Sequence, residues 1–267
     1  MQGRPIDLER TTKMTESNAQ HLAVRDRYID LLRKSLSNLI YGPPPQDPWT
    51  DGLFRRGAKP GRDRQSPAHT MVGVLRLENV QELVQRAIDL GIPGDFIETG
   101  VWRGGCCILM RGILAANAIN GRKVYVADSF EGLPPPNTKL FPQDRGLTLH
   151  KMRALAVSLD EVKSNFDRYG LLDDQVVFVK GLFSNTLPTL AVESFALIRL
   201  DGDMYESTYG ALECLYPKLS IGGFVIIDDY GAISQCRMAV EDYRMKMGIA
   251  EEIRTVDWTG VWWQKTR

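Results

Sequence analysis

DFIETGVWRGGCCILMRGILAAN (residues 95–117) decides the fold. A short β-rich run, DFIET, breaks at Gly100, passes through a turn with further glycines at Gly104 and Gly105, and enters an apolar helix beginning near Cys106. A strand feeding a glycine-rich turn and then a helix is the opening unit of a doubly wound sheet. The same alternation continues downstream. KVYVADS (123–129), QVVFVKG (175–181), FALIRLDGD (195–203) and GGFVIIDDYG (222–231) are near-continuous apolar runs separated by helical stretches, and each ends in Gly, Asp or Ser. Strands apolar on both faces belong to a parallel sheet covered by helices on both sides. EEIRTV and VWWQK then read as a closing strand pair with Gly260 at the turn. The expected fold is α/β, a doubly wound and mostly parallel sheet.

Upstream, LENVQELVQRAIDLG (77–91) is an amphipathic helix closed by Gly91. A second helical stripe is formed by Tyr28, Leu31, Leu32, Leu36, Leu39 and Ile40, at spacings of three and four, and Gly42-Pro43-Pro44-Pro45 stops it. Residues 46–68 hold three more prolines and five basic residues (Arg55, Arg56, Lys59, Arg62, Arg64), and read as a long basic loop. The expected organisation is a polar, disordered tail over 1–23, a helix and lid region over 24–75, and an α/β catalytic domain over 76–267.

Lys plus Arg and Asp plus Glu both number 33 in the 267 residues, so the formal net charge is zero. That balance argues against nucleic acid or a membrane surface as a partner bound by bulk charge. No apolar run reaches the ~20 residues that span a bilayer, and the N-terminus has no apolar signal core. Four cysteines form no disulfide framework, so the expected location is the reduced cytoplasm.

The chemistry gathers where the strands end. The turn after the first strand is neither GxGxxG nor a triphosphate-binding loop, since no GK[ST] follows. Asp128 ends the second strand, where a carboxylate accepts hydrogen bonds from ribose hydroxyls in folds of this class. Glu98 would repel a pyrophosphate, yet it suits the ammonium of an amino-acid moiety. The residues therefore favour S-adenosylmethionine over NAD. The fourth strand ends in Asp201-Gly202-Asp203 and the fifth in Asp228-Asp229. Four carboxylates meeting on one sheet edge repel one another unless a cation sits among them, and oxygen donors alone point to a hard ion such as Mg²⁺. DGDMYESTYGAL lacks the ligands and glycine of an EF-hand loop.

Other residues carry weaker signals. His69 and His150 read as surface loop histidines, and Ser158 and Ser184 lack the partners of a catalytic nucleophile. Cys106 and Cys107 read as helix packing. Trp49 and Phe54 are candidates for stacking on a ring substrate, whereas Trp258, Trp262 and Trp263 are expected to pack in the core or at its rim.

AHTMVG (68–73), PGDFIETGVWRGG (93–105), VADSFEGLP (126–134), LDGDMYEST (200–208) and GGFVIIDDYG (222–231) together resemble the macrocin O-methyltransferase (TylF-type) family over about residues 24–267. The resemblance implies a class I methyltransferase fold, S-adenosylmethionine and Mg²⁺ as cofactors, and methylation of a sugar hydroxyl on a macrolide- or aminocoumarin-type natural product. It implies that Glu98, Thr99, Gly100 and Gly104 hold the methionine part, with Thr70 and Met71 nearby. Asp128 and Ser129 would hold the ribose, and Gly181, Leu182 and Phe183 would frame the adenine. Asp201, Asp228 and Asp229 would ligate the metal. Asp203 would be the general base, with Asp201 the alternative for that role. The N-terminal helix and the basic loop correspond to the family's helical lid.

Two rival readings remain at this point: an NAD-dependent oxidoreductase on a similar sheet, and a catalytically silent cofactor-binding scaffold. The apolar stripe at 28–40 needs a cover, which suggests a homodimer contact.

Overall fold

The computed structural model describes residues 8–41 and 68–267, with the backbone alone for residues 8–18 and 41. Among the described residues there are seven strands: β1 (Asp95–Thr99), β2 (Val124–Asp128), β3 (Val176–Lys180), β4 (Phe195–Leu200), β5 (Leu219–Ile227), β6 (Arg254–Thr255) and β7 (Val261–Gln264). They form one sheet in the order β3-β2-β1-β4-β5-β7-β6. β1 to β5 run parallel, and β7 lies antiparallel to both β5 and β6. The chain order reverses between β1 and β4, where open α/β sheets leave a crevice for ligands at the carboxyl edge.

The α-helices among the described residues are α1 (Leu8–Leu36), α2 (Val74–Asp89), α3 (Gly105–Ala116), α4 (Leu159–Arg168), α5 (Phe183–Thr186), α6 (Tyr205–Leu215) and α7 (Ser234–Met247). Because successive strand residues point to opposite faces, the central strands serve two cores. Phe96, Val126, Leu197, Phe224 and Ile226 pack with α1 to α4. Ile97, Ala127, Ile198, Val225 and Ile227 pack with α6 and α7. The alternation carries to the end of the chain: Trp262 joins the first core and Trp263 the second. The expected packing role of these two tryptophans is met, while Trp258 is 42 % exposed.

The first helix starts earlier than its pattern places it, at Leu8 rather than near residue 24, so most of the polar segment expected to be a disordered tail is helical. The buried stripe of α1 also differs from the expected one. Ile29, Leu32 and Leu36 face the core, whereas Leu31, Tyr28 and Ile40 are exposed. The cover comes from the chain itself, because Leu32 and Tyr28 lie against Gly112 of α3. This contact covers part of the stripe, and Leu31 and Ile40 remain exposed. Trp49, Phe54 and the basic loop from residue 46 fall outside the described residues, apart from Ala68 at its end.

Candidate active site

Strand parity sorts the acidic residues at the carboxyl edge. Glu98 and Arg199 are cross-strand neighbours on β1 and β4, in register and on the α2/α3 side of the sheet. Arg199 is 1 % exposed and meets three carboxylates. Its Nη1 donates to Oε1 of Glu98 and to Oδ2 of Asp201, the latter at 2.9 Å, and its Nη2 donates to Oδ1 of Asp228. Arg76 on α2 completes the group, donating from Nη1 to Oδ2 of Asp228 and from Nε to Oδ2 of Asp257 at 3.0 Å. A buried charge is tolerated where it is paired and hydrogen-bonded, and this network satisfies both conditions.

Asp228 and Asp229 are consecutive, so they diverge. Asp228 continues the Ile226 side, toward α2, where both of its oxygens are taken by the two arginines. Asp229 continues the Ile227 side, and its Oδ2 is buried without a hydrogen-bond partner. Asp201, Asp203 and Asp229 bring one carboxylate oxygen each within 4.8 Å of one another, and Asp228 stands outside the group as an ion-pair residue.

The electrostatics fit a cation at this cluster. Burial and the neighbouring Asp228 push the Asp201 carboxyl up to about 6. Burial and Asp201 push Asp203 up to about 8, and burial and then Asp203 hold Asp229 well above the usual carboxylate range. Three crowded carboxylates that resist ionising together, one with an orphaned buried oxygen, match the all-oxygen donor set of a hard divalent ion. Asp203 also sits at φ +58°, in the left-handed region that non-glycine residues seldom adopt. Backbone strain of this kind persists where surrounding structure enforces it.

The cofactor candidates converge on the same edge. Gly100 ends β1 at φ +81°, and a Cβ there would come within 1.7 Å of the Asp201 carbonyl oxygen. Only a glycine lets the first turn press against the end of β4. Asp128 braces that turn from β2. Its Oδ2 accepts from Val101 N–H at 2.8 Å, and its Oδ1 accepts from Phe130 N–H at 2.8 Å. Ser129 Oγ donates to Gly132 O at 2.7 Å. Gly181 N–H bonds to the Asp128 carbonyl, which places Gly181, Leu182 and Phe183 beside the β2 end, and the Phe183 ring lies against Gly202. Thr70 comes close through the start of α3, with Met71 next in the chain: a Cβ on Gly105 would lie 2.5 Å from the His69 carbonyl oxygen and 2.7 Å from the Thr70 Cβ. Thr99 is buried beside Glu98, and Gly104 is the N-cap of α3 at φ +85°, leaving the first amides of that helix without a side-chain cap.

Glu98 lies at the end of β1 in contact with Arg199 and Cys107. It is 2 % exposed, and its Oε2 accepts from Cys107 Sγ at 2.8 Å while Oε1 holds Arg199. Burial raises its carboxyl to about 7 against the pull of Arg199. Its observed contacts anchor the arginine. Cys106 and Cys107 are buried helix residues, as expected. His69 is not a plain surface residue, since its Nδ1 lies 2.9 Å from the Tyr169 hydroxyl.

Three residues escaped sequence reasoning: Arg76 and Arg199, which pair with the acidic strand ends, and Asp144, a fully buried acid from the β2–α4 connection. Arg199 sits in a strand pattern where an arginine between Ile198 and Leu200 marks a buried charge. Arg76 and Asp144 carry no such local mark.

The macrocin-O-methyltransferase (TylF) family model matches residues 53–265. The chain belongs to the TylF family. A 4'-O-methyltransferase of Streptomyces olivaceus, acting on 8-demethyl-8-(2,3-dimethoxy-α-L-rhamnosyl)-tetracenomycin C, is 52 % identical over 91 % of this chain and 94 % of its own length. The demethyldecarbamoylnovobiocin O-methyltransferase of Streptomyces niveus is 47 % identical over 90 % of this chain and 94 % of its own. The solved structure of the O-methyltransferase NovP superposes with a TM-score of 0.82 at 47 % identity, covering 91 % of this chain and all of NovP. As a TylF-family member on a class I methyltransferase fold, the protein is an S-adenosylmethionine-dependent O-methyltransferase. The oxidoreductase and silent-scaffold readings are set aside. Among the described residues no helix is long and apolar enough to cross a membrane.

Proposed function

We propose that this TylF-family enzyme methylates a sugar hydroxyl of a glycosylated natural product and uses Mg²⁺ held by Asp201, Asp203 and Asp229. The observation that carries the metal assignment is the meeting of those three carboxylates beside an unpartnered oxygen of Asp229. The acceptor class rests on the two relatives, one acting on a rhamnosyl tetracenomycin and the other on demethyldecarbamoylnovobiocin.

A sugar hydroxyl is a weak nucleophile at neutral pH. When bound, S-adenosylmethionine supplies the methyl group, and a hard divalent cation holds the acceptor and lowers the pKa of its hydroxyl. The protein's own groups do the rest. The turn at Gly100 and Gly104, the open amides of α3 and the brace at Asp128 and Ser129 seat the cofactor on one side of the crevice. Gly181, Leu182 and Phe183 wall the far end of that seat. On the other side Asp203, which would give the cation one carboxylate oxygen, accepts the hydroxyl proton on its other oxygen as general base, favoured by its place in the cluster and by a backbone that projects it there. Arg199 and Arg76 hold Asp228 and one oxygen of Asp201, which limits the negative charge facing the site. Alignment of the two reactants supplies much of the acceleration.

The test is transfer of labelled methyl from S-adenosylmethionine to the rhamnosyl tetracenomycin and to demethyldecarbamoylnovobiocin, with and without EDTA. The matching aglycones serve as controls. Label appearing on a glycosylated acceptor, and lost with EDTA, is the expected result. Transfer to the aglycones alone, or full activity in EDTA, would remove the corresponding part of the proposal.

A further inference from the structure

Helix α6 begins directly after the acidic cluster, and its first turn is capped from elsewhere in the chain. Its own N-cap residue is Met204, which has no acceptor side chain. The acceptor is Asp144, 0 % exposed, sixty-one residues earlier in the connection between β2 and α4. Its Oδ1 accepts from Tyr205 N–H at 2.7 Å and its Oδ2 from Glu206 N–H at 3.0 Å. The rings of Phe141 and Tyr205 pack at 6.3 Å. The same connection is tied at its other end to the cofactor turn, where Trp102 Nε1 donates to the Ala154 carbonyl at 2.8 Å.

We propose that Asp144 is a positioning residue for methyl transfer: by taking up the first amides of α6 from across the site, it keeps Asp203 turned into the acidic cluster. The physical reason is competition. The first N–H groups of a helix have no partner within the helix, and they attract a nearby carboxylate. Asp203 lies two residues before Tyr205 and is the nearest acid in the chain before those amides. Bare amides there would draw its carboxylate into an ordinary N-cap and out of the cluster. Asp144 occupies them, and the tilted Asp203 backbone is held at φ +58°. A second effect follows from the two ties: residues 144–154 become a fixed wall spanning the acidic cluster and the cofactor turn.

This inference rests on the reading of Asp203 as a site residue, and the experiment separates the two. Asp144→Ala, Asp144→Asn and Asp203→Asn are compared with the wild type. Steady-state kcat and KM, S-adenosylhomocysteine affinity, and amide hydrogen exchange at Tyr205 and Glu206 are measured for each. In Asp144→Ala the two amides lose protection, kcat falls about tenfold or more through misplacement of Asp203, and cofactor affinity is unchanged. Asp144→Asn keeps one acceptor oxygen and recovers part of kcat; it carries the test if the alanine variant does not fold. A structural role alone would lower the melting temperature and leave kcat of the folded fraction intact, which would overturn the proposal. Equal loss of kcat and cofactor affinity would overturn it as well. If Asp203→Asn loses activity while Asp144→Ala keeps it, the coupling alone fails. If Asp203→Asn is fully active, the reading of Asp203 fails and this inference falls with it.

Discussion

Arg199 donates from Nη1 to Oδ2 of Asp201 at 2.9 Å from a position 1 % exposed to solvent, so a guanidinium at the end of β4 sets the direction of a carboxylate two residues on. The same group meets Glu98 and Asp228. Arg199→Met would strand three acids beside an apolar side chain. Removing one partner of a buried ion pair costs about 3–5 kcal/mol, so the expected outcome is a large fall in melting temperature or loss of soluble protein. Thermal denaturation of the purified variant checks this, and a wild-type melting curve would contradict the anchoring role.

Asp228 and Asp229 are adjacent in sequence and opposite in consequence. Asp229→Asn is expected to remove Mg²⁺-dependent turnover while S-adenosylhomocysteine binds as before. Asp228→Asn leaves Arg76 and Arg199 short of a counter-charge and is expected to destabilise the fold by about 2 kcal/mol or more. Parallel melting curves and cofactor titrations of the two variants discriminate the roles; exchanged phenotypes would restore Asp228 as a ligand.

Gly100 tests the cofactor turn. Its φ is +81°, and a Cβ there collides with the Asp201 carbonyl. Gly100→Ala must therefore push β1 and β4 apart where the crevice opens. Calorimetric titration should show S-adenosylhomocysteine affinity falling at least about tenfold, the equivalent of roughly 1.4 kcal/mol. Unchanged affinity would place the cofactor elsewhere.

Asp173 supplies a control for stability without chemistry. The Arg111 guanidinium holds its carboxyl below the usual carboxylate range, and the pair ties α3 to the turn before β3. Because the folded-state value is depressed, the contribution is full at neutral pH and is lost as pH falls below the ordinary carboxyl range. Asp173 is 42 % exposed at its side chain, so the effect is small, within about 1 kcal/mol. Asp173→Asn should lower the melting temperature slightly at pH 7, match the wild type near pH 3, and leave kcat unaltered.

The strands were legible because buried parallel strands must be apolar on both faces, and DFIETG, VYVAD and FALIRL announce themselves in any reading frame. Asp201, Asp203 and Asp229 were visible as acids at strand ends. Asp228 was visible in the same way, but the two-residue period, which sends consecutive side chains to opposite faces, sets it beside the arginines. Nothing local revealed its partner Arg76, 152 residues away. Asp144 stayed hidden for the same reason: an N-cap is normally read within a few residues of the helix it serves. The start of α1 was missed because its first turns are polar and carry no apolar stripe to count.

The central claim, that Asp201, Asp203 and Asp229 gather a divalent cation, is tested most directly by calorimetric titration of Mg²⁺ into the metal-free enzyme saturated with S-adenosylhomocysteine. One ion per chain, with binding lost in Asp229→Asn and kept in Asp173→Asn, is the expected result. No binding in the wild type, or binding undiminished in Asp229→Asn, would contradict it.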